Sequence, residues 1–217
     1  MLGWLTNDFT SYPTDIDETP LPGELPVCYT QRLAKEKGIS VYKNLQESLA
    51  AVISSDTTVY LEHQIYGKPE NSDDAIKMLK TLCGKSHLVC TALSVAFLKH
   101  GEITTAETFC TTIVNMRSMS DDEIKSYVIS GDPMGKAGSY AIQNEQYHPV
   151  ESIEGCYASV VGFPICHLKR CFEILGLEFA QDPALTCRKN IHYPCLIDLN
   201  QYNRKIICST EKKIWNF

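Results

Sequence analysis

The chain has 217 residues, enough for one large domain or two small ones around a substantial core. Hydrophobic residues at 44% and charged residues at 21% are ordinary for a globular protein. The formal net charge of -6 argues against a general nucleic-acid binder, but leaves room for a small anionic ligand in a locally basic pocket.

No apolar run reaches the ~18 residues of a membrane span. The start, Met1 to Asp8, lacks the charged and apolar stretches of a signal peptide. A cytoplasmic protein with no membrane partner is therefore expected. The ten cysteines include no Cys-x-x-Cys pair and are expected to be reduced. Cys187, His192, Cys195 and Cys208 cluster in sequence, but their spacing fits no standard zinc pattern and is read as chance.

In chain order, residues 13–26 are too rich in proline for helix or central strand. They hold Asp15, Asp17 and Glu18, either a solvated acidic turn or carboxylates offered to a metal. A helix is predicted from Val27 to Lys37, with Gly38 as its C-cap, and a second from Ser40 to Ala51. Val52 to Leu61 reads as a strand whose first half is polar: Ser54, Ser55, Asp56, Thr57, Thr58. Gly67-Lys68-Pro69 is a turn. Ser72 caps a helix to Leu82, where Ala75, Met78, Leu79 and Leu82 share one face, and Gly84 ends it. His87 to Leu98 and Thr104 to Met116 are strands. Ser120-Asp121-Asp122-Glu123 is a capping box opening a helix to Ile129.

The block from Asp132 to Gln143 combines two glycines, a proline, a lysine and a glutamine. It reads as a loop that comes close to a ligand, with Lys136 for negative charge and Gln143 for hydrogen bonds. A short strand follows at Val150–Ile153, then a helix from Pro164 to Leu175 stopped by Gly176. Alternating strands and helices indicate an α/β domain. After Leu177 the pattern is lost. Ile191 to Ile197 and Lys205 to Cys208 are candidate short strands in a tail with no assigned role.

There is no nucleophile elbow and no complete phosphate-binding Gly-x-x-x-x-Gly-Lys-Ser/Thr loop. What remains is a set of polar residues at loop and strand ends: Glu18, Lys37, Asp56, Thr57, Lys68, Lys136 and Gln143. Lysines and carboxylates are the kit needed to hold a triphosphate, bind a divalent metal and activate water. Each also has a plain reading as a surface, turn or strand residue.

Five ordered blocks resemble the Maf family of nucleoside triphosphate pyrophosphatases. They are Asp15–Thr19 with Arg32–Lys37; Ser55-Asp56-Thr57-Thr58-Val59; Gly67-Lys68-Pro69 with Leu82–Thr91; Asp132–Gln143; and Gly155-Cys156-Tyr157 with Val160–Pro164. They span residues 1 to 176, leaving 177–217 as an extension. The resemblance implies an elongated, twisted mixed sheet with flanking helices and a cleft between two lobes. It implies Asp56 as the base that activates water, Glu18 and Asp56 near a divalent metal (Mg2+ or Mn2+), and Lys37 and Lys68 on the phosphates. Thr57 and Gln143 match positions that select the base, in the branch acting on dTTP and UTP. The implied products are a nucleoside monophosphate and pyrophosphate, and a homodimer is frequent in the family.

Members of the family begin with an apolar strand and a Ser-x-Ser-Pro-Arg-Arg loop. Here Met1–Leu5 aligns with the end of the helix after that loop, and Phe9–Pro13 with the next strand. Without the two arginines, charged hydrogen bonds worth ~1.5–3 kcal/mol each are expected to be lost, roughly a hundredfold or more in binding. Without the strand, a sheet edge should be exposed. Two readings stay open: an enzyme whose true start lies upstream, or a weakened relative that binds nucleotide without turnover.

Overall fold

The computed structural model describes residues 1–44, 51–62, 64–99, 101–191, 193–195 and 206–208. After a single 3-10 turn at Leu2–Trp4 and an extended segment, α1 spans Pro26–Asn44. Then come β1 (Val52–Leu61), β2 (Gln64–Tyr66), α2 (Ser72–Leu82), β3 (Ser86–Lys99) and β4 (Glu102–Met116). The chain continues through α3 (Asp121–Ile129), β5 (Val150–Glu154), α4 (Tyr157–Val161), α5 (Ile165–Leu175), α6 (Pro183–Asn190) and β6 (Ile206–Cys208).

One sheet runs in the order β2-β1-β3-β4-β5, with β6 also on β4. The expected α/β fold with flanking helices is present. Its described strands all pair antiparallel, however, so the mixed character of the expected sheet is not found among the described residues. Beyond β2, which covers only Val59–Leu61, β1 has no strand on its outer side over Val52–Thr58 among the described residues.

Register decides what each face of the sheet carries, because successive side chains point to opposite sides. Ser54, Asp56 and Thr58 lie beside Ser94, Ala92 and Cys90 on one face; Ser55, Thr57 and Val59 lie beside Leu93, Thr91 and Val89 on the other. Helix α1 covers the first face. Its approach is close: Ser54 Oγ donates to the Ala34 carbonyl at 2.6 Å, and Lys35 pairs with Glu107 at 2.8 Å.

The second face is covered in two parts. Around Leu93, Val95, Ala106 and Cys110 it packs Ile165, Leu168 and Cys171 of α5. Around Val59, Val89 and Val114 it packs Leu79 and Leu82 of α2 with Ile124 and Tyr127 of α3.

Several local expectations need correction. Gly38 does not end a helix; α1 runs through it to Asn44. A Cβ at Gly38 would stand 2.6 Å from Ser54 Oγ, so glycine is there to let the helix lie on the strand, at a helix-propensity cost of roughly 0.5–1 kcal/mol. The second helix predicted for Ser40–Ala51 is therefore partly the same helix, and residues 45–50 lie outside the described residues. Asn71, not Ser72, caps α2, accepting from Asp74 N at 2.9 Å.

Phe9–Pro13 forms no strand, and Phe9 and Tyr12 are exposed. Ile191 and residues 193–195 are likewise not strand; the remainder of that prediction lies outside the described residues. Lys205 does too, but Ile206–Cys208 is a strand, on Ala106–Thr108. Helix α6 was not anticipated. Asp182 caps it, accepting from Ala184 N and Leu185 N, with Pro183 in its first turn. The capping box at Ser120 and Glu123 forms as expected. No helix among the described residues is long and apolar enough to cross a membrane.

Candidate functional site

A cavity of about 290 Å³ opens at the bare outer edge of β1. Over Val52–Thr58 this edge carries no strand among the described residues, and the cavity reaches side chains from both faces of β1. Asp56 enters from the α1 side and Thr57 from the other, with Lys37, Lys68, Lys136, Tyr140 and Gln143 around them. Of the sequence-predicted residues, Lys37, Asp56, Thr57, Lys68 and Gln143 thus line one cavity. Glu18 is not in its wall but is joined to it through Lys37.

The Lys37 ammonium bridges two carboxylates, at 2.7 Å from Glu18 Oε1 and 2.6 Å from Asp56 Oδ1. The acidic turn is brought there by α1: Tyr29 Oη donates to the Glu18 carbonyl at 2.8 Å, and Arg32 donates to the Thr19 carbonyl at 3.1 Å. Arg32 also holds Glu24 through two contacts of 2.8 Å. Asp17 is spent locally, accepting from Thr19 N at 2.9 Å. Among the described residues, Glu18 is thus the acidic-turn carboxylate that meets Lys37.

Burial raises the Asp56 carboxyl above the usual aspartate value, against the opposing pull of the Lys37 hydrogen bond and charge. The Glu18 carboxyl is lowered, chiefly by its hydrogen bond to Lys37. Burial acts to lower Lys37, but its hydrogen bonds to Asp56 and Glu18 prevail and raise it. A buried carboxylate whose pKa is raised takes a proton more readily than an exposed aspartate.

Two hard oxygen donors converging on one cation also form a donor set suited to Mg2+ or Mn2+. Such ions commonly take one or two protein carboxylates and fill the remaining positions with water and phosphate oxygens. Among the described residues, no group of three or more potential ligands is gathered.

The loop from Asp132 to Gln143 forms the far wall. Tyr127 of α3, fully buried, fastens both its ends: its hydroxyl donates to Asp132 Oδ2 at 2.8 Å and accepts from Ala141 N at 2.9 Å. Asn144 Nδ2 adds a bond of 3.0 Å to the same carboxylate oxygen. Burial raises Asp132, but its hydrogen bonds from Tyr127, Lys136 and Asn144 bring it below the ordinary value. Lys136 Nζ donates to the Asp132 carbonyl and lies 3.2 Å from Asp132 Oδ1.

At Gly138, φ is +70° and a Cβ would come within 2.9 Å of Val59 Cγ2, so the loop lies directly on β1. Gly138 N also donates to the Gly67 carbonyl at 3.0 Å, which ties the loop to the Lys68 turn. Tyr140 reaches inward, with its hydroxyl 2.7 Å from His87 Nε2. Burial lowers His87 to about 4, and its Nδ1 has no hydrogen-bond partner among the described residues.

On the Thr57 side, Ser55 Oγ donates to the Gly162 carbonyl at 2.7 Å, and Thr57 Oγ1 lies 2.9 Å from Thr91 Oγ1. Val160 and Val161 supply apolar wall there. Sequence reasoning did not single out Tyr127, Thr91 or Ser55. Tyr127 is one apolar position in an amphipathic helix, and Thr91 one β-branched residue in a strand. Only the register and the loop give them roles.

A profile of the Maf family, described as Maf-like protein, matches residues 1–175. The chain belongs to the Maf family. Among its curated relatives, the dTTP/UTP pyrophosphatase of Shewanella sp. (strain MR-7) is 41% identical over 180 residues, 82% of this chain and 90% of that protein. The dTTP/UTP pyrophosphatase of Aquifex aeolicus (strain VF5) is 39% identical over 182 residues, again 82% and 90%. That of Dechloromonas aromatica (strain RCB) is 37% identical over 168 residues, 76% and 82%. In this Maf chain the site residues come from four separate regions: the acidic turn with α1, β1, the Lys68 turn and the loop after α3. Of the C-terminal cysteines, Cys187 is buried in the α5 cluster and Cys195 is exposed, while His192 lies outside the described residues.

Proposed function

We propose that this chain hydrolyses dTTP and UTP to the nucleoside monophosphate and pyrophosphate, with a divalent metal. The observation that carries the reading is the Glu18–Lys37–Asp56 cluster at a cavity whose Thr57 side is neutral and hydrogen-bonding. The names of the Maf relatives supply the substrate pair.

In this reading Asp56 takes a proton from water as the water oxygen bonds to one phosphorus of the α–β anhydride. The bridging P–O bond breaks, and its electron pair leaves with the departing phosphate group. A raised Asp56 pKa makes the carboxylate a better proton acceptor than an exposed aspartate, while burial limits how far Lys37 can be dispensed with. Glu18 and Asp56 would hold the metal, which when bound neutralises phosphate charge and polarises the anhydride. Lys37, Lys68 and Lys136 surround the polyphosphate. Thr57 and Gln143 meet the pyrimidine.

The test is pyrophosphate release from dTTP, UTP, CTP and GTP with Mg2+ or Mn2+, with Asp56→Asn as control. Release from dTTP and UTP that is lost in Asp56→Asn supports the reading. A folded protein that shifts its melting temperature with UTP yet releases no pyrophosphate would instead favour the relative that binds without turnover.

A further inference from the structure

The direction of one hydrogen bond in the cavity wall is fixed by the next. Thr91 Oγ1 lies 2.6 Å from the Ser159 carbonyl oxygen. A carbonyl can only accept, so the single hydroxyl hydrogen of Thr91 is committed to it. Thr57 and Thr91 are direct cross-strand partners on β1 and β3, with their oxygens 2.9 Å apart. With its own hydrogen already used, Thr91 can only accept there, and the hydrogen between the two oxygens must belong to Thr57.

Thr57 Oγ1 therefore has only acceptor capacity left for a ligand. The relay is rigidly held, since Thr91 and Ser159 are both fully buried. The Ser159 carbonyl is fixed in turn by accepting from Gly162 N at 2.9 Å, and Ser159 Oγ donates to the Cys110 carbonyl at 3.2 Å.

We infer that Thr91 is a specificity-determining positioning residue: by orienting the Thr57 hydroxyl, it makes the site accept a ring N–H and so select uracil and thymine over cytosine. This rests on the proposed placement of the pyrimidine against Thr57. Uracil and thymine carry a donor at N3, whereas cytosine presents a lone pair there, which would face the Thr57 lone pairs without a hydrogen between them. Gln143 cannot supply this polarity by itself, because rotating its amide exchanges donor for acceptor. A site committed to one hydrogen-bond direction leaves a buried polar group unpaired against the wrong ligand, and such mismatches discriminate strongly.

The experiment is calorimetric titration of the full chain with UMP, CMP and 3-methyluridine monophosphate. The parent protein is expected to bind UMP at least about tenfold more tightly than either of the others. Thr91→Val frees the Thr57 hydrogen to turn toward the ligand, and the UMP-to-CMP ratio should fall to about threefold or less. Thr91→Ser keeps the hydroxyl and should restore the parental ratio, which a merely structural role would not require.

Equal binding of UMP and 3-methyluridine monophosphate by the parent, no binding of any of the three, or a folded Thr91→Val with the parental ratio would overturn the inference. The comparison of ligands on the parent decides the matter even if Thr91→Val does not fold. Pyrophosphate release from UTP is measured alongside. Discrimination without release keeps the inference and rejects the proposed hydrolysis; release without discrimination does the reverse.

Discussion

Asp56 and Thr57 are neighbours in sequence, yet they face opposite sides of β1 and sit in different surroundings. The Asp56 side is charged: a half-buried ammonium holds two carboxylates, and burial moves the Asp56 pKa. The Thr57 side is neutral, a chain of hydroxyls ending on a buried carbonyl, with direction but no charge. The alternation of a strand normally separates such environments by the thickness of the sheet. Here one cavity meets both where β1, paired with β3 on its inner side, has no strand on its outer side over Val52–Thr58 among the described residues. At this edge the charged cluster and the hydroxyl chain line one cavity, and the proposed function gives the first the reaction and the second the recognition.

The largest expected effect separates the two sides. Asp56→Asn should reduce turnover of UTP by about a thousandfold while leaving UMP affinity within a few-fold, read by pyrophosphate release and calorimetry. An equal loss in both would mean that the two faces do not divide the work.

Lys37→Met comes next, with about a ten- to hundredfold loss in kcat/KM. It also carries a pH signature. Lys37 lowers the Asp56 pKa, so its removal should raise that value further and move the acid limb of the kcat/KM profile to higher pH. An unmoved limb would mean that Asp56 is not the group titrating.

A structural test acts through α1. Gly38→Val should lower stability by about 1–3 kcal/mol in urea unfolding, since the added side chain meets Ser54 where a Cβ would already stand 2.6 Å from its hydroxyl oxygen. It should also weaken catalysis more than UMP binding, because α1 carries Lys37 and the neighbouring helix face.

The smallest effect is gradual. His87 and His167 are each lowered by burial from 6.5 to about 4. The folded protein keeps them neutral while the unfolded chain binds protons, so stability is fully present above pH 6.5 and declines as pH falls toward 4. Urea midpoints from pH 7 to 4.5 should fall; His87→Gln should shallow that slope.

How much of this was legible in the sequence depends on how far each cause reaches along the chain. The Ser120 capping box closes over three residues, and the Lys68 turn is set by its own glycine and proline, so both could be read locally. β1 was visible from its composition, and its Asp-Thr pair from the family resemblance. Gly38 could not be placed, because the same residue suits a helix end or a close helix–strand contact, and Ser54 decides which. Thr91 was hidden for a stronger reason. Its role needs the β1–β3 register and a carbonyl 68 positions away in sequence. Helix α6 has a local signal in Asp182-Pro183, obscured by the weak apolar period of its residues.

The proposed function places hydrolysis of a pyrimidine triphosphate on the charged side of β1. It is tested most directly by pyrophosphate release from UTP with Mg2+, comparing the parent chain with Asp56→Asn at equal folded concentration. Metal-dependent release by the parent, and about a thousandfold less by the variant, is the expected result. Equal release by the two proteins would contradict it.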